Sequence, residues 1–301
     1  MKKEVVKLIK ARGPLTGLEL REAIEGDSLI LWQACNASKR LLIRRLGTRY
    51  LRLDRQVEGY ARLSPSILRE FLTYSVIGLE GEEDALVRRA QEIEHHIEEV
   101  SRSKFKLSHN IVSGVKNKLG DDWPENHQVC FIIAGDIVYN MAHDVPRPEK
   151  STGKMVQGSD IDLIVVVDDK VSDDFIKRLD DSIYQEKHRI LTAPSLKEEV
   201  DYVVKRLKRV REQVEFNTFK HMVACKILQE GMLLYGSEDL FHTIKDMLYE
   251  YGVTEKLNNL EKLATAFRKD VEEYLLHSDL DRIKREDLHL FYSAEESEEF
   301  G

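Results

Sequence analysis

The chain has 301 residues with 33% charged and 42% apolar positions and a formal net charge of −8. These proportions exclude a collagenous repeat, a wholly disordered chain and a disulfide scaffold, and the length suits two domains of roughly 100–200 residues. No run approaches the roughly 18 apolar residues of a membrane helix. The longest, Ile161–Val167, is broken only by Asp162. Met1-Lys2-Lys3-Glu4 leads into an amphipathic segment instead of an apolar signal core, so we expect no secretory leader, no membrane partner and a cytoplasmic setting. Cys35, Cys130 and Cys225 lie far apart, which offers neither a CxxC metal knuckle nor a disulfide framework.

Charge is unevenly placed. Residues 1–64 hold 14 Lys and Arg against 7 Asp and Glu, which is +7 and leaves −15 on the other 237 residues. A basic block on an acidic body suggests that the first segment meets a polyanion. Val5, Val6, Leu8 and Ile9 give one helix over residues 2–12, stopped by Gly13-Pro14. Thr16 with Glu19 is a capping box that opens a second helix over Gly17–Ala23. A third helix starts near Ser28, and a fourth is expected from Ser38 through Leu46. Tyr50–Leu53 and Tyr60–Leu63 then read as a hairpin whose loop uses Gly59 for a left-handed turn. Helices followed by a hairpin resemble a winged helix-turn-helix over residues 1–75. Arg40, Arg44, Arg45, Arg49, Arg52 and Arg55 would then stand on its last helix and wing as nucleic-acid contacts. Docking on another protein, or on the acidic body of this same chain, would use the same charges.

Residues 66–77 read as a helix, and Glu80–Lys106 as a charged connector helix, so that 76–124 links the domains. His95-His96 project about 100° apart on that helix and read as a solvated face. Between 125 and 240 the chain changes character. Val129–Ala134 and Ile161–Val167 are runs of buried-strand residues, and residues 143–157, with two prolines and two lysines, read as a mobile loop. A helix opens at Ser172, another spans 219–228, and residues 241–301 read as helices with an acidic tail.

The sharpest signal is Gly158-Ser159-Asp160-Ile161-Asp162-Leu163. Carboxylates at i and i+2 at the start of a strand share one face, where they can hold hard divalent cations together with water and phosphate. That equipment serves phosphoryl or nucleotidyl transfer.

With Ile133-Ala134-Gly135-Asp136 before it and Ile227–Gly236 after it, this stretch resembles the DNA polymerase beta-like nucleotidyltransferase superfamily over roughly residues 125–240. The resemblance implies an α+β fold with a mixed sheet flanked by helices. It also implies Mg2+ or Mn2+ on Asp160 and Asp162, and a nucleoside triphosphate near Gly135, Asp136, Gly158 and Ser159. Lys150 and Lys154 are the expected triphosphate contacts. Asp136 stands where the family has serine or glycine, and the gap to Asp160 is longer than usual. The family's third metal carboxylate matches Asp201 in Val200-Asp201-Tyr202-Val203-Val204, with Glu215 the alternative. Against Asp201, Ser195-x-x-Glu198 reads as a capping box ahead of a helix. The implied activity is transfer of a nucleoside monophosphate, AMP from ATP by default, to a protein, RNA or small-molecule acceptor. The other reading is a DNA-binding regulator whose nucleotidyltransferase fold senses nucleotide without turnover, as part of a toxin–antitoxin or phage-defence module.

Overall fold

The computed structural model describes residues 1–123, 128–149, 152–293 and 296. It is a mixed α+β chain that divides into two units, one of residues 1–96 with 259–301 and one of residues 97–258.

The first unit opens with α1 (Lys2–Arg12), which buries Val5, Val6 and Ile9, and a two-residue strand β1 (Leu15–Thr16). The capping box forms as read. The Thr16 N–H donates to Glu19 Oε2 at 2.7 Å and the Glu19 N–H to Thr16 Oγ1 at 3.2 Å, starting α2 (Gly17–Ala23). Asp27 caps α3 (Ser28–Asn36), an apolar helix in which every residue is buried or half-buried. The expected fourth helix is instead a strand, β2 (Leu41–Arg45). The hairpin of β3 (Tyr50–Leu53) and β4 (Ala61–Ser64) is present, with Gly59 at φ 72°. The helix expected over 66–77 stops early as α4 (Ile67–Thr73), and the chain extends into β5 (Ser75–Leu79).

Both departures have one cause. β5 is fully buried and pairs with β1 on one side and β2 on the other, setting Leu41 against Leu79 and Ile43 against Ile77. Apolar segments at helical spacing become strands where a buried edge offers ladder bonds, since propensity is a weak prior beside tertiary pairing.

The connector is one helix of 37 residues, α5 (Glu83–Leu119), which runs past its expected end. The second unit is built on a four-stranded mixed sheet in the order β10-β9-β6-β11. In chain order its elements are β6 (Val129–Ala134), the short pair β7 (Pro146–Pro148) and β8 (Met155–Gln157), and β9 (Ile161–Val167). Then come α6 (Asp173–Thr192), β10 (Val200–Arg206), α7 (Leu207–Gln213), α8 (Phe219–Glu230), β11 (Met232–Gly236) and α9 (Glu238–Glu250). β6 and β9 are antiparallel and apolar where they pair except at Asp162, β9 and β10 are parallel, and β11 returns antiparallel to β6. A parallel neighbour requires a crossover, and α6 supplies it. Phe175, Leu179, Ile183 and Ile190 of α6 belong to the same core as Val129, Phe131, Ile133, Leu163 and Val165 of the sheet.

Two expectations are corrected here. Within segment 143–157, expected as a mobile loop, β7 and β8 pair antiparallel with Arg147 opposite Val156. The Ser195–Glu198 capping box does not form, because Val200–Arg206 pairs along its whole length with β9 and Glu198 pairs with Lys104 instead. The last long helix, α10 (Val253–His277), returns the chain to the first unit. There Leu275, Ile283 and Phe291 pack into the core with Trp32, whose ring lies 5.7 Å from that of Phe291.

Candidate functional site

The site grows out of one register. Asp201 stands directly opposite Asp162 on the parallel strands β10 and β9, and Val200 stands opposite Ile161. Side chains alternate along a strand, so Asp160 and Asp162 share a face, as do Glu199 and Asp201 on the neighbouring strand. Four carboxylates therefore form a two-by-two array at the N-terminal mouths of two adjacent parallel strands. Oxygens of Asp160, Glu199 and Asp201 lie within 4.8 Å of one another. Among the predicted ligands, Asp160, Asp162 and Asp201 come together here. Glu215 does not, being exposed in the turn after α7.

The third wall is the end of β6. Ala134 pairs with Asp162, and Gly135 then turns the chain with φ 73° into a short 3-10 turn, Gly135–Tyr139. A Cβ on Gly135 would sit 2.2 Å from Asp162 Oδ2, so only glycine lets the turn pass this close to the carboxylate. Gly158 has a parallel role. At φ 63°, its Cβ would stand 2.0 Å from the His143 carbonyl oxygen. Ser159 is tied down on both sides, its hydroxyl donating to Asp136 Oδ2 at 2.7 Å and accepting from the His143 N–H at 3.1 Å. Ser159, the expected phosphate contact, thus holds Asp136.

Sequence reading missed four residues. Glu199, 4% exposed, completes the array. Its signal was present, because Glu199-Val200-Asp201 repeats the i, i+2 spacing of Asp160-Ile161-Asp162. Arg147, 8% exposed, reaches in from β7. Its guanidinium pairs with Asp160, lies 2.8 Å from Glu199 Oε2, and donates from Nε to the Gly158 carbonyl at 2.8 Å. Nothing in its local sequence sets it apart. Glu230 and Lys226, one turn apart on α8, pair at 2.5 Å, and Glu230 accepts from the Tyr139 hydroxyl at 2.8 Å. Lys154 is exposed on the hairpin, and Lys150 lies outside the described residues.

Electrostatics follow from the crowding. Burial, and then the charges of Asp136, Asp201 and Glu230, push Asp162 up from the ordinary carboxylate range to about 7, with Lys226 opposing them. Burial also raises Glu199, against the pull of Arg147. Lys187 bonds Asp201 Oδ1 at 3.0 Å, leaving that carboxylate 49% exposed. Beneath the array, buried Lys104 of α5 donates to the Gln157 carbonyl at 2.6 Å and pairs with Glu198, fixing the lead-in to β10.

In the first unit the arginines divide. Arg45 stands on β2 and not on a helix, and Arg40 and Arg44 are exposed just before and along that strand. Arg49 donates to Glu70 at 2.6 and 2.7 Å and to Glu272 at 2.7 Å, and Arg45 pairs with the same two carboxylates. Arg52 is half-buried on β3 and Arg55 exposed in the hairpin loop. α3, the last helix before the hairpin, has no exposed face with which to read a groove.

No family model, curated protein or solved structure matches the chain. Among the described residues, no helix is long and apolar enough to cross a membrane.

Proposed function

We propose that the protein is a divalent-cation-dependent nucleotidyltransferase that moves a nucleoside monophosphate from a nucleoside triphosphate to a hydroxyl acceptor. The observation that carries this reading is the array of Asp160, Asp162, Glu199 and Asp201 at adjacent strand mouths, walled by the Gly135 turn. Its donor set suits a hard cation such as Mg2+ or Mn2+, since every donor is a carboxylate oxygen. Asp160 Oδ1 and Glu199 Oε2 are buried and face the positive charge of Arg147 Nη2, so the site already favours a cation at these oxygens. Asp160, Asp162 and Asp201 would hold the cation, with Glu199 added to the expected set. A bound cation would neutralise the triphosphate and polarise the phosphorus under attack.

The chain's own groups do the rest. The Gly135 turn brings backbone against the reacting region without a side chain in the way. Asp201, the half-exposed carboxylate of the array, faces the acceptor and takes the proton from its hydroxyl. Lys226 sets positive charge beside Asp162. Ser159 holds Asp136. ATP is the default donor because it is the most abundant triphosphate. The test is incubation of the protein with Mg2+ and each triphosphate in turn, followed by pyrophosphate assay and intact-mass analysis. Pyrophosphate release with at least one nucleotide is expected.

One observation favours the second reading, a nucleotide sensor without turnover. Asp136 sets a carboxylate beside Asp162, where it would repel a triphosphate. Nucleotide binding without pyrophosphate release would establish that reading. For the nucleic-acid partner, the exposed Arg40 and Arg44 are the candidate contacts.

A further inference from the structure

Arg147 occupies the array in a particular way. Its side chain is 8% exposed, and its Nη2 faces Asp160 and, at 2.8 Å, Glu199. Its Nε donates to the Gly158 carbonyl at 2.8 Å, and its Nη1 lies 3.5 Å from the Pro148 carbonyl oxygen. Arginine ordinarily satisfies a carboxylate with a two-pronged fork. Here its Nη2 faces one oxygen of each of two different carboxylates, Asp160 Oδ1 and Glu199 Oε2, so the guanidinium bridges the two strands. A spherical divalent ion makes no such angular demand of carboxylate oxygens.

We propose that Arg147 is a resident counter-cation of the carboxylate array, and that a divalent ion displaces it from Asp160 and Glu199. This rests on the cation-binding reading given above. The ion and the guanidinium need the same oxygens, which lie within one 4.8 Å cluster with Asp201, and two cations held that closely repel. The two occupants therefore alternate. Without the ion, Arg147 ties the β7–β8 hairpin to the mouth of β9. With it, the hairpin keeps buried Val156 but loses its ionic anchor.

The test titrates full-length protein with Mn2+ alone, following free Mn2+ by electron paramagnetic resonance, for wild type and Arg147→Met. If the arginine closes the site nine-tenths of the time, its removal tightens Mn2+ binding about tenfold. Equal or weaker binding by a folded variant overturns the proposal and leaves the cation reading standing. Should Arg147→Met fail to fold, hydrogen exchange on wild type decides. Mn2+ should raise deuterium uptake in the peptide containing Arg147, and unchanged or lowered uptake overturns the displacement. Absence of Mn2+ binding by both proteins at millimolar concentration would instead overturn the cation reading, and this inference with it.

Discussion

The two units handle charge in opposite ways. In the first, Arg45, Arg49 and Arg268 surround Glu70 and Glu272, and Arg268 also bonds the Pro65 carbonyl oxygen at 3.0 Å. Each carboxylate there has at least two cationic partners. In the second, Asp136, Asp160, Asp162, Glu199, Asp201 and Glu230 gather around Arg147, Lys187 and Lys226. Buried charge is costly unless paired, so a structural cluster approaches balance. Burial, and then a surplus of negative charge, raises Asp162 to about 7, and on the proposed reading that surplus is what an outside cation would offset. The basic segment that suggested a polyanion partner spends Arg45, Arg49 and Arg62 on carboxylates of its own unit, while the acidic body gathers its carboxylates in one place.

The contrast can be broken at either end. The largest effect is expected from Asp160→Asn or Asp162→Asn, each of which removes a proposed cation ligand at constant volume. Pyrophosphate release should fall about 10³-fold, which is ~4 kcal/mol, and unchanged release in either variant would refute the site. Next comes Glu70→Gln, which leaves buried Arg268 and its neighbours short of a counter-charge. Urea unfolding should show a loss of about 4 kcal/mol, with Mn2+ affinity unaltered.

The third prediction turns on sign. Asp162 titrates higher in the folded protein than in the unfolded chain, so its contribution is complete below pH ~4 and is lost as pH rises towards 7. In metal-free buffer, Asp162→Asn should therefore match wild type at pH 4 and exceed it at pH 8, by about 3 kcal/mol. Added Mg2+ should narrow that gap by stabilising wild type. Thermal unfolding at the two pH values measures it, and a variant less stable at pH 8 would contradict the crowding. The smallest effect separates the arginines. Neutralising Arg40 and Arg44 should flatten the salt dependence of duplex binding by about 0.9 per lost phosphate contact. Neutralising Arg49 should leave that slope alone and lower stability instead, because its guanidinium already serves Glu70 and Glu272.

Sequence made the array legible and left its surroundings obscure, for reasons of range. Asp160 and Asp162 could be placed because period-two alternation is local, and the β-branched run of Val165–Val167 fixes a strand. Asp201 competed with a helical reading until the full-length pairing with β9 settled its element. Segment 41–45 was misread because its fate depends on β5, which lies more than thirty residues further on. Arg147 and Glu230 had no local signal. One reaches the site through a hairpin and the other from a helix, and only the tertiary fold brings either to Asp160 or Gly135.

The most direct test of the central claim is pyrophosphate release by the purified protein, with each nucleoside triphosphate and Mg2+, in wild type and Asp162→Asn side by side. The account predicts release by wild type with at least one nucleotide, its loss when Mg2+ is chelated, and its loss in the variant. Release that persists in the variant or under chelation would contradict it, as would the absence of release from wild type with every nucleotide.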